Sequence, residues 1–124
     1  MREWTAQELS QIGKSDDLHI SPFRDDGETY GTPTWIWSVV VEDALFVRAY
    51  YGHKSSWYQA ALRQGAGRIT VAGMALDVRF EQADDALSGK IDEAYRTKYH
   101  DSRYLNSMIS NRSRSATVKI IPKV

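Results

Sequence analysis

Large apolar residues at every second position between residues 34 and 51 constrain the fold of this chain more than any other feature. One set, which would share a face of a long strand beginning at Thr34, is Trp35, Trp37, Val39 and Val41. Successive side chains of a strand point to opposite faces, so this spacing is typical of a sheet that buries one face. Glu42-Asp43-Ala44 then turns the chain, and the return strand carries Leu45, Val47, Ala49 and Tyr51. The sequence therefore predicts a central antiparallel hairpin.

Three helices and four further strands are predicted around this hairpin. The helices are expected at 5–13, where Thr5 and Glu8 form a capping box, at 56–64, and at 84–98. Ser55 and Gly65 are the expected caps of the second helix. The other strands are expected around Leu18 and Ile20, Ile69 and Val71, Leu76 to Phe80, and Val118 and Ile120. Gly73-Met74 predicts a type II′ hairpin loop, and residues 99–115 show no regular pattern.

The fold class that follows is α+β, with about six strands joined mostly as hairpins and about three helices. Such hairpins pack as sandwiches or close into small barrels, because an exposed edge strand invites pairing with another chain. A single domain over residues 1–124 is expected, with the N-terminal helix in 1–16 and the barrel with two helices in 17–124.

Composition disfavours several classes of function. Sixteen basic residues balance sixteen acidic ones, so no global field would gather nucleic acid. The chain has no cysteine, and its three histidines are far apart, which argues against a metal site. It has neither an apolar run long enough to span a membrane nor a signal-peptide pattern at its start. A cytoplasmic protein is therefore expected.

The segment from Tyr50 to Tyr58 joins the return strand to the second helix and predicts a binding site. Lys54, Ser55 and Ser56 lie at a helix start, where free N–H groups and the helix dipole favour an anion. Trp57 and Tyr58 could wall a pocket for a flat ring, and one of Tyr50 and Tyr51 could face it. Each has a simpler interpretation: Lys54 as a solvated cation and Trp57 as a core residue. Arg48 is either a cation for phosphate or a residue that snorkels to the surface.

Several motifs together resemble a known group of proteins. They are Tyr30-Gly31-Thr32-Pro33-Thr34-Trp35-Ile36-Trp37, Leu45-Phe46-Val47-Arg48-Ala49-Tyr50-Tyr51-Gly52, Ser56-Trp57-Tyr58-Gln59-Ala60-Ala61-Leu62, Ala94-Tyr95-Arg96-Thr97-Lys98-Tyr99 and Ser102-Arg103-Tyr104-Leu105. The chain resembles an uncharacterised bacterial family of small proteins, a domain of unknown function. That family is similar to the deazaflavin-dependent nitroreductases of the flavin-binding split β-barrel superfamily.

The resemblance implies a six-stranded split β-barrel of the FMN-binding type, a homodimer, with FMN or a deazaflavin lying against the barrel. It implies hydride transfer to a small oxidised substrate, as in a nitroreductase. Lys54 matches a basic residue on the phosphate side of the cofactor, with Arg48 beside it. Thr32 and Thr34 would lie near the ring edge, and Tyr51 and Trp57 would form apolar walls.

One turn departs from the nitroreductase pattern. Those relatives carry a basic turn between their first two strands that helps to hold phosphate, whereas this chain has Arg24-Asp25-Asp26-Gly27. Carboxylates near a phosphate are unfavourable. The alternative is therefore a barrel without cofactor or enzymatic activity that serves as a binding or interaction module.

Overall fold

The computed structural model describes residues 3–123. The strands are β1 Leu18–Pro22, β2 Thr34–Ile36, β3 Ser38–Val41, β4 Ala44–Arg48, β5 Ala66–Val71, β6 Met74–Gln82 and β7 Thr117–Pro122. The longer helices are α1 Ala6–Lys14, α2 Ser56–Gln64 and α3 Ser88–Lys98. Two four-residue helices, α4 Leu105–Met108 and α5 Asn111–Arg114, lie in the segment where no regular structure was expected. Short 3-10 turns occupy Gly52–Lys54 and Asp85–Leu87.

The seven strands of the described residues form one antiparallel sheet in the order β2-β1-β5-β6-β7-β4-β3. The two strands at its edges, β2 and β3, are consecutive in the chain and are separated only by Trp37. The sheet therefore curls into a nearly closed barrel. This confirms an α+β fold with a barrel and three longer helices, although the strand count is seven rather than six.

The extra strand arises because the long strand expected from Thr34 to Val41 breaks at Trp37. Before the break the chain pairs with β1, and after it the chain pairs with β4. The Trp37 ring stacks on Tyr99 with ring centroids 4.0 Å apart, and the Tyr95 hydroxyl donates to the Trp37 carbonyl at 3.2 Å. Trp37 is buried, whereas Trp35 is 53% exposed. The prediction that these two tryptophans share one face of one strand is wrong.

Helix α1 begins at the expected capping box. The Thr5 side chain accepts from the Glu8 amide at 3.1 Å, and the Glu8 carboxylate accepts from the Thr5 amide at 2.9 Å. Both orphan donors are thus satisfied at the helix start. The helix runs to Lys14, one residue beyond the expected end, and buries Leu9 and Ile12.

The β5–β6 hairpin turns at Ala72-Gly73, because Val71 pairs with Met74. Both loop residues have positive φ, 51° at Ala72 and 77° at Gly73. Positive φ at both central positions defines a type I′ turn, whereas type II′ requires it only at the first. The type II′ loop predicted at Gly73-Met74 is therefore wrong, and Met74 belongs to β6.

The buried apolar residues form two clusters, one on each side of β4. Apolar side chains from strands all around the sheet fill the barrel interior, and α1 and α2 close it. The outer cluster lies between α3 and α4 and the outer face of β3 and β4, and comprises Trp37, Val39, Val41, Phe46, Ile91, Tyr95, Tyr99 and Met108. Leu45, Val47 and Ala49 point into the barrel, as their spacing indicated, while Phe46 and Arg48 point outward.

Candidate functional site

A cavity of about 600 Å³ opens where the break between β2 and β3, the end of β4, the start of α2 and the helix α4 meet. Its lining residues are Thr34, Trp35, Ile36, Trp37, Arg48, Tyr50, Tyr51, Ser55, Ser56, Trp57, Tyr104 and Met108. Six of these twelve side chains are aromatic, and Arg48 is the only charged one that the described residues contribute. This volume and mixture are typical of a small-molecule site.

The start of α2 forms one wall of the cavity. Ser55 is its N-cap residue, as expected, but its side chain makes no capping hydrogen bond. Ser55 is buried, with 9% of the residue exposed. The first N–H groups of a helix lack partners inside the helix, so this wall offers amide donors beside the Ser55 hydroxyl. The other end of α2 is capped as expected by Gly65 in the left-handed conformation, at φ 68°.

Lys54 lies on the 3-10 turn before α2 and does not line the cavity. The turn is fixed by its neighbours, because Gln59 donates to the His53 carbonyl at 2.9 Å and the His53 ring lies 3.1 Å from the Ser115 hydroxyl. A Cβ at Gly52, which has φ 69°, would lie 2.6 Å from Cγ of Arg112. Glycine thus allows α5 to pack on the turn, and Lys54 is left exposed at its end.

Arg48 forms a second, fully buried wall of the cavity together with Met108. Its side chain is 0% exposed, so the snorkelling interpretation is wrong. The guanidinium donates to an Asp92 carboxylate oxygen at 2.5 Å, to the Met108 carbonyl at 3.1 Å, to the Ser88 carbonyl at 3.3 Å and to the Thr117 hydroxyl at 3.0 Å. The other Asp92 oxygen accepts from Arg114 at 2.5 Å. Arg48 is therefore already ion-paired within the protein.

Exposed aromatic rings surround the mouth of the cavity. Trp35, Tyr51 and Tyr104 are 53%, 68% and 46% exposed. Tyr50 meets both neighbouring tyrosines edge to face, with ring centroids 4.9 Å from Tyr51 and 6.1 Å from Tyr104. Trp57 is instead buried. It packs in the barrel interior and also lines the cavity, so it is both a core residue and a wall residue. Tyr51 lies beyond the end of β4, in a turn, and not in the return strand as predicted.

Two cations lie over rings at this mouth. The Arg112 guanidinium carbon is 5.3 Å from the centroid of Tyr50, and that of Arg103 is 5.0 Å from the centroid of Tyr104. Arg103 also donates to the Tyr104 hydroxyl at 2.9 Å. Arg103 and Arg112, which with Arg114 make residues 103–114 locally basic, thus pack against the cavity of their own chain and raise the local positive charge there.

The structure brings together Thr34, Arg48, Tyr51, Ser55, Ser56 and Trp57 of the predicted site and leaves Lys54 and Thr32 outside. Thr32 lines a neighbouring cavity of about 370 Å³, which shares Thr34, Ser56 and Trp57 with the first. There the Thr32 hydroxyl lies 3.5 Å from an Arg24 nitrogen. Asp25 pairs with Arg63 at 3.0 Å. The acidic turn therefore neutralises a cation of α2 beside the second cavity.

Sequence reasoning missed Tyr104, Met108 and Asp92, and it identified Arg114 only as part of a locally basic segment that is either solvated or reaches over a partner subunit's pocket. Of these only Asp92 carried a local signal. It is three residues before Tyr95 and seven before Tyr99, which places a carboxylate on the buried stripe of α3. The other three lie after α3, in or beside the short helices α4 and α5, where the sequence has no periodicity that predicts a contact.

A family model covers residues 8–120, so the chain belongs to the family described as "Uncharacterized protein conserved in bacteria (DUF2255)". No curated protein matches the chain. Within the part of the chain that the structure describes, no helix is long and apolar enough to cross a membrane. Residues 3–123 also contain no group of three metal-ligating side chains positioned to hold an ion.

Proposed function

We propose that this DUF2255 protein binds a flat aromatic cofactor of the flavin type, FMN or a deazaflavin, in the cavity between β4, α2 and α4. One observation carries the proposal: aromatic walls and a helix start whose Ser55 side chain makes no capping hydrogen bond meet in a single cavity. Aromatic walls suit a planar ring, and a helix start suits a phosphate.

The lining residues fit such a group. A cavity of about 600 Å³ lies inside the range of small-molecule sites. We assign the ring to the space between Trp35, Tyr51 and Trp57, with Thr34 at its edge. We assign the phosphate to the first-turn amides of α2 with the hydroxyls of Ser55 and Ser56. Arg48 contributes charge from behind the wall, and the assignment needs neither Lys54 nor Thr32.

A flavin-type group supplies hydride transfer itself when it is bound. The chain then has to hold the group, exclude water and leave space for a small oxidised substrate, which is the nitroreductase-like reaction that the resemblance implies. The aromatic mouth serves the exclusion of water. We also propose that a second copy of the chain covers Trp35, Tyr51 and Tyr104 in a homodimer, because large exposed rings grouped at one site are typical of interfaces.

The experiment compares FMN with riboflavin, which has the same ring without phosphate. Purified protein is titrated with each, and with a deazaflavin, and binding is followed by the visible spectrum and fluorescence of the ring. In Ser55→Asp the helix keeps a good N-cap residue while a carboxylate enters the phosphate position. FMN affinity should fall by about 10-fold or more, and riboflavin affinity should change little.

The matched control is Thr5→Asp, which makes the same kind of change at the N-cap of α1, away from the cavity. It should leave both affinities as they are. Equal losses of FMN and riboflavin in Ser55→Asp would contradict the phosphate assignment. Failure of the unaltered protein to bind FMN, riboflavin and deazaflavin alike would overturn the proposal.

The alternative function is a cofactor-free barrel that acts as a binding or interaction module. The ion pair between Arg48 and Asp92 favours it, because it occupies the one cation that the described residues place in the cavity wall. A module of this kind would still use the aromatic mouth, and it is the conclusion that remains if no flavin binds.

A further inference from the structure

Three charged side chains meet at the cavity wall that Arg48 and Met108 form. Asp92 on α3 joins Arg48 on β4 to Arg114 on α5, with each of its oxygens 2.5 Å from one guanidinium nitrogen. The Arg48 and Asp92 side chains are 0% and 5% exposed, and that of Arg114 is 40% exposed. We call these three residues the charged trio.

The charged trio carries a net positive charge, since two guanidinium groups share one carboxylate. Without Arg114, the pair of Arg48 and Asp92 would be neutral overall. None of the described residues that line the cavity carries a carboxylate. At this wall, away from Arg103 and Arg112 at the mouth, Arg114 therefore decides whether the buried charges sum to a positive value or to zero.

Two buried donors of the charged trio remain without an acceptor among the described residues. The Arg114 Nε atom is buried and has no hydrogen-bond partner among the described residues. A guanidinium has five N–H groups, and Arg48 uses four of them, so one N–H on its Nη2 atom is also left over. Buried donors are nearly always paired, and buried charges are nearly always compensated. Both observations indicate that negative charge is missing beside this wall.

We propose that the charged trio makes the cavity selective for aromatic ligands that carry negative charge at the end facing Arg48 and Met108, and that Arg114 sets this selectivity. The ligand class is an aromatic carboxylate or sulfonate, or a ring that becomes anionic. The inference rests on the proposed function only in taking the cavity as a ligand site. Its negative charge is separate from the phosphate assigned to α2. Arg114 acts through Asp92 and is a positioning residue.

The test uses two dyes that differ by one charged group. Anilinonaphthalene sulfonate is anionic, and N-phenyl-1-naphthylamine is the same aromatic frame without the sulfonate. Both fluoresce on entering an apolar cavity, so both dissociation constants come from fluorescence titration. In Arg114→Gln the affinity for the anionic dye should fall by about 3- to 10-fold, and less at high salt, because one partly screened charge is lost. The affinity for the neutral dye should stay within about 2-fold of its original value, since an uncharged frame does not respond to the field.

Two further variants separate charge from structure. Arg114→Lys keeps the positive charge and should recover most of the anionic-dye affinity. Arg96→Gln removes an arginine of similar exposure, paired with Glu93 on the outer side of α3, and should change neither dye. Thermal unfolding of each variant shows that it is folded.

The inference is overturned if the unaltered protein fails to bind the anionic dye, or if Arg114→Gln weakens both dyes equally. Neither result bears on the phosphate test at Ser55. Conversely, a protein that binds no flavin but discriminates between the dyes would keep the charged trio as a selectivity device and lose the flavin proposal. The two failures can therefore be told apart.

Discussion

The barrel interior and the outer cluster lie on opposite sides of β4 and stabilise the fold in different ways. The interior is almost entirely apolar, and its tryptophan at position 4 satisfies its indole N–H on the Ile120 carbonyl at 2.9 Å. The outer cluster contains a buried ion pair and two tyrosine hydroxyls that bind the main chain beside the break between β2 and β3. The cavity opens on the side with the polar contacts.

The difference between the two clusters indicates which part of the fold can orient a ligand. An apolar interior is stabilised in proportion to the apolar area removed from water, and this interaction has no preferred direction. Buried polar groups are stable only when each finds a partner, so they fix local geometry tightly and fail when one partner is lost. The outer cluster is therefore the place where a ligand can be oriented, and also the place most sensitive to substitution.

The largest loss of stability is expected in the outer cluster, in the variant Asp92→Ala. The substitution leaves the buried Arg48 charge without its counter-ion, and such a loss destabilises a protein by about 3–5 kcal/mol. Urea unfolding followed by circular dichroism measures it. The matched variant is the pair Arg48→Met and Asp92→Leu, which replaces the ion pair by apolar groups and should recover most of that loss. A double variant as unstable as Asp92→Ala would mean that the ion pair itself, and not the orphaned charge, matters.

The same contrast explains how much of the fold could be predicted from sequence. Leu45, Val47 and Ala49 enter the interior because a strand alternates locally, and each pattern lies within a few residues of chain. The break at Trp37 depends instead on Tyr95 and Tyr99, about sixty residues away, which bond to the main chain there. No local pattern contains that information, so one strand was expected where two exist.

The candidate site divides in the same way. Ser55, Ser56 and Trp57 were found because a helix start has a recognisable sequence. Tyr104 and Met108 were missed, as was the contact of Arg114 with Asp92, because all three residues reach the cavity or the charged trio from a segment without periodicity. Arg48 was noticed as unusual within a strand, but its partner Asp92 lies 44 residues later and decides what it does.

A smaller effect is expected from the pH dependence of the outer cluster. Burial lowers the pKa of Lys98 to about 8 from the ordinary 10.5, with the Asp16 charge opposing this. Between these two pH values the unfolded chain binds more protons at this lysine than the folded chain does, so its contribution to stability rises with pH and is lost as pH falls through about 8. Burial raises the pKa of Tyr99 to about 12, so its contribution is complete below pH 10 and falls as pH rises toward 12.

Calorimetric melting temperatures between pH 7 and 11 test this expectation. The melting temperature of the unaltered protein should receive a rising contribution from Lys98 above pH 8 and a falling one from Tyr99 above pH 10. Lys98→Met removes the titrating amine, so its melting temperature should lack the rise above pH 8, and the difference between the two proteins should vary with pH there. A difference that does not vary with pH over this window would show that the Lys98 amine is as solvated in the folded state as in the unfolded chain.

The smallest change in stability is expected from replacing one tyrosine by phenylalanine in each region. This pair of variants also compares the outer cluster with the barrel interior most directly. In the outer cluster, the Tyr95 hydroxyl donates to the Trp37 carbonyl, so Tyr95→Phe leaves a buried acceptor unpaired and should cost about 1–2 kcal/mol. In the interior, the Tyr58 hydroxyl has no partner among the described residues, and burial raises its pKa. Tyr58→Phe removes an unsatisfied polar group and should leave the free energy of unfolding unchanged or raise it by up to about 1 kcal/mol.

Denaturant unfolding of the two variants under one set of conditions gives both values, because the substitution removes the same single atom. Opposite responses would establish that polar groups support the outer cluster and only burden the interior. A loss at Tyr58 as large as that at Tyr95 would mean that the interior hydroxyl is held by a buried water. In that case the barrel interior would share the polar character of the cavity side.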